Sequence, residues 1–133
     1  MEETSPKILV VDDEVDFLEL FVKRFQKRGH NVAAVESGHE ALAYLEENPV
    51  DVVVLDVKMP RMNGIEALKE IKKRHPLVEV IMLTGHGSVE SGIQGISHGA
   101  YDYVMKPFNL EDLVYRIGKA NERRQLLLGE SIG

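Results

Sequence analysis

An α/β fold is predicted for this chain: one five-stranded parallel sheet in a doubly wound (βα)5 single domain. Three observations predict it. Short apolar runs alternate with helix-periodic segments five times along the chain. Two of the runs, 51–57 and 78–84, show no polar alternation, as expected of strands buried on both faces. The length, 133 residues, is that of one compact domain. Repeated strand–helix alternation builds a parallel sheet with helices on both sides.

Taken in order, residues 7–11 (Lys-Ile-Leu-Val-Val) form the first strand, closed by Asp12-Asp13. Phe17, Leu18, Phe21, Val22 and Phe25 then recur at three and four, one face of a helix. Gly29 stands where a left-handed C-terminal cap is wanted. Residues 31–35 give a second short strand. Ser37 and Glu40 have capping-box spacing, so each is expected to bond the other's backbone N–H, opening a helix through Ala41, Leu42 and Leu45. The third strand is 51–57. Asn63-Gly64 turns the chain into a helix carrying Ile65, Leu68 and Ile71, which Pro76 stops. Residues 78–84 read as a fourth, continuously apolar strand.

Residues 88–98 predict a weaker helix, because Gly92 and Gly95 each cost about 1 kcal/mol against Ala. Such glycines suit an element that moves. Residues 101–105 form the fifth strand, and Asn109 caps a last helix bearing Leu110, Leu113, Val114 and Ile117. Residues 6–121 make up the domain on this reading. Residues 122–133 are an extension of the last helix, a tail or the start of a linker.

Composition narrows the function. With no cysteine, disulfides and thiolate metal sites are excluded. The polar, acidic start lacks the pattern of a secretory leader, and the longest apolar runs fall far short of the roughly 20 residues that span a bilayer. A cytoplasmic protein with no membrane role is therefore expected. Sixteen basic and 22 acidic side chains give a net charge of −6 with no basic stripe, so direct nucleic-acid binding is not expected. The one dense basic run, Lys72-Lys73-Arg74, falls at a predicted helix end and offsets the helix dipole there.

Function is sought where strands end, because open parallel sheets bind ligands beyond their carboxyl edges. The first strand ends in Asp12-Asp13, the third at Asp56, the fourth at Thr84, and the fifth leads into Lys106-Pro107. One by one these have bland readings, such as N-terminal helix charge or solvated polar residues. Together they place three carboxylates, a hydroxyl and an ammonium on one edge. Crowded acids repel unless a cation intervenes. An all-oxygen site with few protein ligands suits Mg2+, with Mn2+ as an alternative. One carboxylate is then free to act as a nucleophile, a route to aspartyl phosphates, with Thr84 and Lys106 to receive phosphoryl oxygens.

The chain resembles the CheY-like receiver domains of two-component response regulators. The resemblance lies in Ile-Leu-Val-Val-Asp-Asp-Glu at 8–14, Val-Leu-Asp-Val-Lys-Met-Pro at 54–60 followed by Asn63-Gly64, Met-Leu-Thr-Gly at 82–85, and Gly-Ala-Tyr-Asp-Tyr-Val-Met-Lys-Pro-Phe at 99–108. It implies a flavodoxin-like strand order, 2-1-3-4-5, with Asp56 as phosphoacceptor. It also implies that Asp13, Asp56 and the backbone carbonyl of Lys58 hold Mg2+ directly, with Asp12 acting mainly through water. Thr84 would be the switch hydroxyl, and Lys106 would pair with the phosphoryl group. The bond to Pro107 is expected to be cis. Tyr103 matches the aromatic that turns inward on activation, unless it is an ordinary edge aromatic. Lys58 and His86 are the variable positions expected to rim the site and govern the lifetime of the phosphorylated state. His30, His39, His75 and His98 are expected to be solvated.

The same resemblance implies a phosphorylation switch rather than an enzyme with a separate substrate. A histidine kinase or histidine phosphotransfer protein would donate the phosphoryl group. The face made by the fourth helix, fifth strand and fifth helix would respond, controlling a protein target or a missing output domain, as a monomer or a phosphorylation-dependent dimer. A haloacid-dehalogenase-like phosphatase would need an acid where Lys58 stands. A receiver that works by docking alone would typically have lost one of the acids or the lysine. A flavodoxin would set Asp12-Asp13-Glu14 against its phosphate.

Overall fold

The computed structural model describes residues 5–59, 61–85 and 89–129. Ten elements alternate along it: β1 (Lys7–Val11), α1 (Val15–Lys27), β2 (Asn31–Val35), α2 (Gly38–Glu47), β3 (Val52–Asp56), α3 (Gly64–Arg74), β4 (Glu79–Thr84), α4 (Val89–Ser97), β5 (Asp102–Met105) and α5 (Leu110–Leu128). The five strands form one sheet in the order β2-β1-β3-β4-β5, every pair parallel. This is the flavodoxin-like order, and the direction of winding reverses between β1 and β3. Val11 pairs with Leu55, Asp56 with Leu83, and Thr84 with Met105, so the carboxyl ends of four strands come level.

Two apolar layers cover the sheet, one on each face. Leu9, Val11, Val53, Leu55, Val80 and Met82 point to one side, beneath Ala41, Leu42, Leu45, Leu68 and Ile71 of α2 and α3. Ile8, Val10, Val52, Val54, Ile81 and Leu83 point to the other, against Phe21 and Phe25 of α1 and Leu113 and Ile117 of α5. Full burial of each such side chain stabilises the fold by about 1.5–3 kcal/mol, before the entropy of ordering it is charged. β3 and β4 are buried at every position, the pattern of central parallel strands.

Helix ends follow side-chain chemistry. Asn63 and Glu66 form a complete capping box at α3, with Asn63 Oδ1 accepting from Glu66 N at 3.0 Å and Glu66 Oε1 from Asn63 N at 3.1 Å. Asn109 accepts from Asp112 N at 2.9 Å and opens α5. Gly29, just past α1, takes φ 86°.

Several expectations need correction. Ser37 Oγ accepts from Glu40 N, but Glu40 Oε1 reaches back to Glu36 N at 2.7 Å rather than to Ser37. The carboxylate therefore satisfies a donor one residue earlier than a capping box would. The fourth strand is not continuously apolar, because Glu79 opens it and is 1% exposed. Neither Glu79 carboxylate oxygen accepts a hydrogen bond among the described residues; Lys72 Nζ lies 4.0 Å away and Arg123 Nη1 3.6 Å away. Of the alternatives for the segment after residue 121, the described residues show the helix extension: α5 runs unbroken to Leu128, where Gly129 ends it at φ 85°. In α4, Gly92 and Gly95 are both buried against the sheet. His30 and His75 are half-buried, while His39 and His98 are exposed. Burial and the Arg28 charge lower the pKa of His30.

Candidate functional site

Strand pairing brings the predicted acids together. Asp12 follows β1, Asp56 ends β3, and one carboxylate oxygen from each of Asp12, Asp13 and Asp56 lies within 4.8 Å of the others. Asp12 is fully buried and Asp56 is 6% exposed, whereas Asp13 faces solvent. Asp12 is held by its own turn, its Oδ1 accepting from Glu14 N at 2.9 Å. The backbone of Asp56 is fixed from behind by α3. Gly64 N donates to Val57 O at 2.8 Å, and a Cβ on Gly64 would stand 2.7 Å from Val57 Cα and closer still to the Asp56 carbonyl oxygen. Only a residue without a side chain fits there.

Lys106, just beyond β5, extends into this acid group. Its Nζ donates to Asp12 Oδ2 at 2.7 Å and lies 3.3 Å from Asp56 Oδ1 and 3.9 Å from Glu14 Oε1. The ammonium also sits 4.4 Å from the centre of the Phe17 ring, a cation–π contact that restricts its path. The Lys106–Pro107 peptide is cis. Lys106 N donates to Thr84 O at 2.8 Å, tying the fifth-strand end to the fourth. Thr84 is fully buried, and its Oγ1 has no hydrogen-bond partner among the described residues.

The electrostatics follow from this crowding. Burial, then the Asp12 charge, push the Asp56 carboxyl up to about 6, against the pull of Lys106 and with a further push from Asp13. Burial works against the Lys106 ammonium, but its hydrogen bond to Asp12 and the charges of Asp56 and Asp12 outweigh it, and its pKa is raised. Three carboxylates facing one ammonium leave a negative excess. That donor set, all oxygen and partly open to solvent, is what a hard divalent cation requires.

In front of the acids lies a cavity of about 530 Å³ lined by Asp13, Lys58, Met59, Asn63, Ser91 and Gln94. Lys58 thus stands at the rim, exposed, beside Asp13. Tyr103 is not in the acid group. It lies on β5 opposite Met82, half-buried, with its ring under α4. His86 falls outside the described residues. The roles of Glu14 N, Phe17 and the Gly64 contact are not legible in the sequence as site features. Phe17 reads as one member of the apolar face of α1, and its edge position next to Lys106 depends on the fold.

The chain matches the response regulator receiver domain profile over residues 8–118. It belongs to that family, the signalling domain of two-component systems. An NtrX-like response regulator of Rickettsia bellii is 39% identical over 90% of this chain and 25% of its own length. The transcriptional regulatory protein ZraR of Salmonella typhimurium is 40% identical over 85% of this chain and 26% of its own. The chain therefore spans about a quarter of the length of these curated relatives. A receiver domain protein from Clostridium thermocellum superposes with TM-score 0.86 at 40% identity, covering 92% of this chain and 98% of that one. NtrX from Brucella abortus superposes with TM-score 0.88 at 35% identity, over 96% of this chain and 29% of that one. Among the described residues no helix is long and apolar enough to cross a membrane.

Proposed function

We propose that this chain is a phosphorylation switch whose phosphoacceptor is Asp56. The observation that carries the reading is the Lys106 ammonium set 3.3 Å from Asp56 and 2.7 Å from Asp12 at the carboxyl edge of the sheet. An Asp56 oxygen attacks the phosphorus of phosphohistidine on a histidine kinase or phosphotransfer protein. The P–N bond breaks as the P–O bond forms, and the departing imidazole keeps the electron pair and takes up a proton. Lys106 neutralises one phosphoryl oxygen, and the Thr84 hydroxyl donates to another. Water later cleaves the acyl phosphate, and Lys58 and His86 control its approach.

Asp13, Asp56 and the Lys58 carbonyl are the groups that hold Mg2+ on this reading, with Asp12 acting mainly through water; Mn2+ fits the same oxygen set. When bound there, such a cation would offset the carboxylate charge and part of the charge on the phosphoryl oxygens. The chain is a signalling module rather than an enzyme with a separate substrate, and it works in the cytoplasm. Residues 6–121 form the receiver, with α5 continuing beyond. Phosphorylation biases a two-state equilibrium that moves Thr84 and Tyr103. Its outlet is the α4-β5-α5 face, where Val89, Ile93, Ile96, Met105 and Tyr115 are exposed. That face controls a protein target or a following output domain, or pairs with a second copy.

Incubation with phosphoramidate and Mg2+, followed by intact mass, tests the reading. Wild type should gain one phosphoryl mass that chelator prevents, and Asp56→Asn should gain none. An unmodified wild type, or a modified Asn variant, overturns it.

A further inference from the structure

Three faces of α4 meet different surroundings. Ser91 and Gln94 line the cavity opposite Asp13 and Lys58. Val89, Ile93 and Ile96 are exposed. Gly92 and Gly95 are buried against the sheet. A Cβ on Gly92 would lie 2.5 Å from Tyr103 Cγ and 2.7 Å from its Cε2, while one on Gly95 would lie 2.7 Å from Met82 Cγ. The Tyr103 ring thus fills the space that a side chain at 92 would occupy. Cγ is the ring atom nearest the backbone, so only rotation about the Cα–Cβ bond, or a lift of the helix, could clear it.

No polar side-chain tether among the described residues competes with this seat. Among the described residues the one side-chain hydrogen bond of α4 is internal, Ser97 Oγ to Gln94 O at 2.8 Å, and none of its side chains joins a salt bridge. Apolar contact with Tyr103 and Met82 therefore supports α4 on its sheet side.

We propose that Gly92 is a positioning residue that lets the Tyr103 ring lie under α4, making ring and helix one moving part. The proposal rests on the reading of Asp56 as phosphoacceptor and adds the route by which the cavity wall and the exposed Val89-Ile93-Ile96 stripe move together. If the ring leaves, α4 loses its seat and shifts Ser91 and Gln94 relative to Asp13 and Lys58. Gly95 meets a different neighbour, Met82 Cγ, so a side chain there would press on Met82 and not on the Tyr103 ring.

Two measurements on the whole chain test this. With tyrosine ring labels and no ligand, wild type should show a nuclear Overhauser contact between the Tyr103 ring and the Gly92 α-protons. Gly92→Ala should lose the ring's contact with α4 and expose the ring to a soluble paramagnet. On addition of Mg2+ and beryllium fluoride, the amide shifts of Ile93 and Ile96 should respond at least about threefold less in Gly92→Ala than in wild type, a coupling of the size single packed residues carry. The response at Asp56 and Lys58 should persist. In a Tyr103→Ala background, Gly92→Ala should change nothing further. A ring that keeps its place in Gly92→Ala, an undiminished Ile93 and Ile96 response, or an effect of Gly92→Ala that survives without the ring overturns the proposal. A wild type whose Asp56 and Lys58 amides ignore beryllium fluoride defeats the phosphoacceptor reading instead, and the ring contact is still decided by the ligand-free measurement.

Discussion

Lys106 is bound more closely to Asp12 than to Asp56, at 2.7 Å against 3.3 Å. Asp12 is fully buried, and among the described residues its other oxygen has only the Glu14 backbone N–H. The lysine therefore compensates a buried charge first and reaches the phosphoacceptor second. Lys106→Met should leave Asp12 and Asp56 without a counter-charge. Breaking a buried pair from one side costs about 3–5 kcal/mol, and the partly exposed lysine places this case near about 3 kcal/mol in urea titration without divalent ions. Millimolar Mg2+ should restore part of it. A loss under about 1 kcal/mol would mean that the pair is solvent-screened.

Asp56 responds to pH in the opposite sense to an ordinary salt-bridged acid. Its carboxyl moves from 3.8 up to about 6 on folding, so the folded chain holds the proton more firmly than the unfolded one. Ionised Asp56 thus opposes folding, not at all below the lower value and fully above the upper one. Two units of pKa correspond to about 3 kcal/mol. Asp56→Asn should stabilise the metal-free chain at pH 7.5 and have little effect near pH 4. Mg2+ should stabilise wild type at pH 7.5 much more than at pH 4.5. Urea titrations across this range check both, and an Asn variant less stable than wild type at pH 7.5 would refute the charge-crowding account.

The Thr84 hydroxyl is buried without a partner among the described residues, which costs about 1–3 kcal/mol while it stays unmet. Thr84→Val keeps the volume and removes the group. Thermal melts of the metal-free protein should show equal or higher stability by about 1 kcal/mol. The same variant should lose the response of α4 amides to Mg2+ and beryllium fluoride, while Thr84→Ser keeps it. A destabilised valine variant with an intact response would show the hydroxyl to be structural.

The order of elements and the convergence of Asp12, Asp13, Asp56 and Lys106 can be read from the chain because parallel topology puts every strand end on one edge. Val52–Asp56 is legible from its unbroken apolar run, whose ends shift by one residue where Asp51 turns to bond Lys7 N at 2.8 Å. Glu79 escapes a reading of the sequence because a lone acid in an apolar run carries no local sign of burial; the cations that neutralise it come from α3 and α5, distant in sequence. The purpose of Gly92 is hidden for the same reason. Local propensity marks it as a weak spot in a helix, and the ring that requires it lies on the next strand. Long-range shape, unlike periodicity, leaves no trace in neighbouring residues.

The far end of α5 belongs to the folded body, although the family profile ends at residue 118. Ala120 is the last fully buried residue of the helix, yet Arg124 beyond it donates to Asp51 Oδ1 at 2.9 Å and to Leu77 O at 2.8 Å. Arg123 supplies one of the two cations near buried Glu79, and burial lowers the pKa of the other, Lys72. Removing residues 122–133 would strip both arginines and leave Glu79 with Lys72 alone. A buried carboxylate left with one distant cation and two lost charge-assisted hydrogen bonds should cost about 2–3 kcal/mol. Thermal melts of the chain ended at Asn121 should show that loss, and Glu79→Gln should recover part of it in the short chain while giving less in the full one. If the short chain melts within about 2 °C of the full one, the two arginines hold nothing and α5 ends functionally at Ala120.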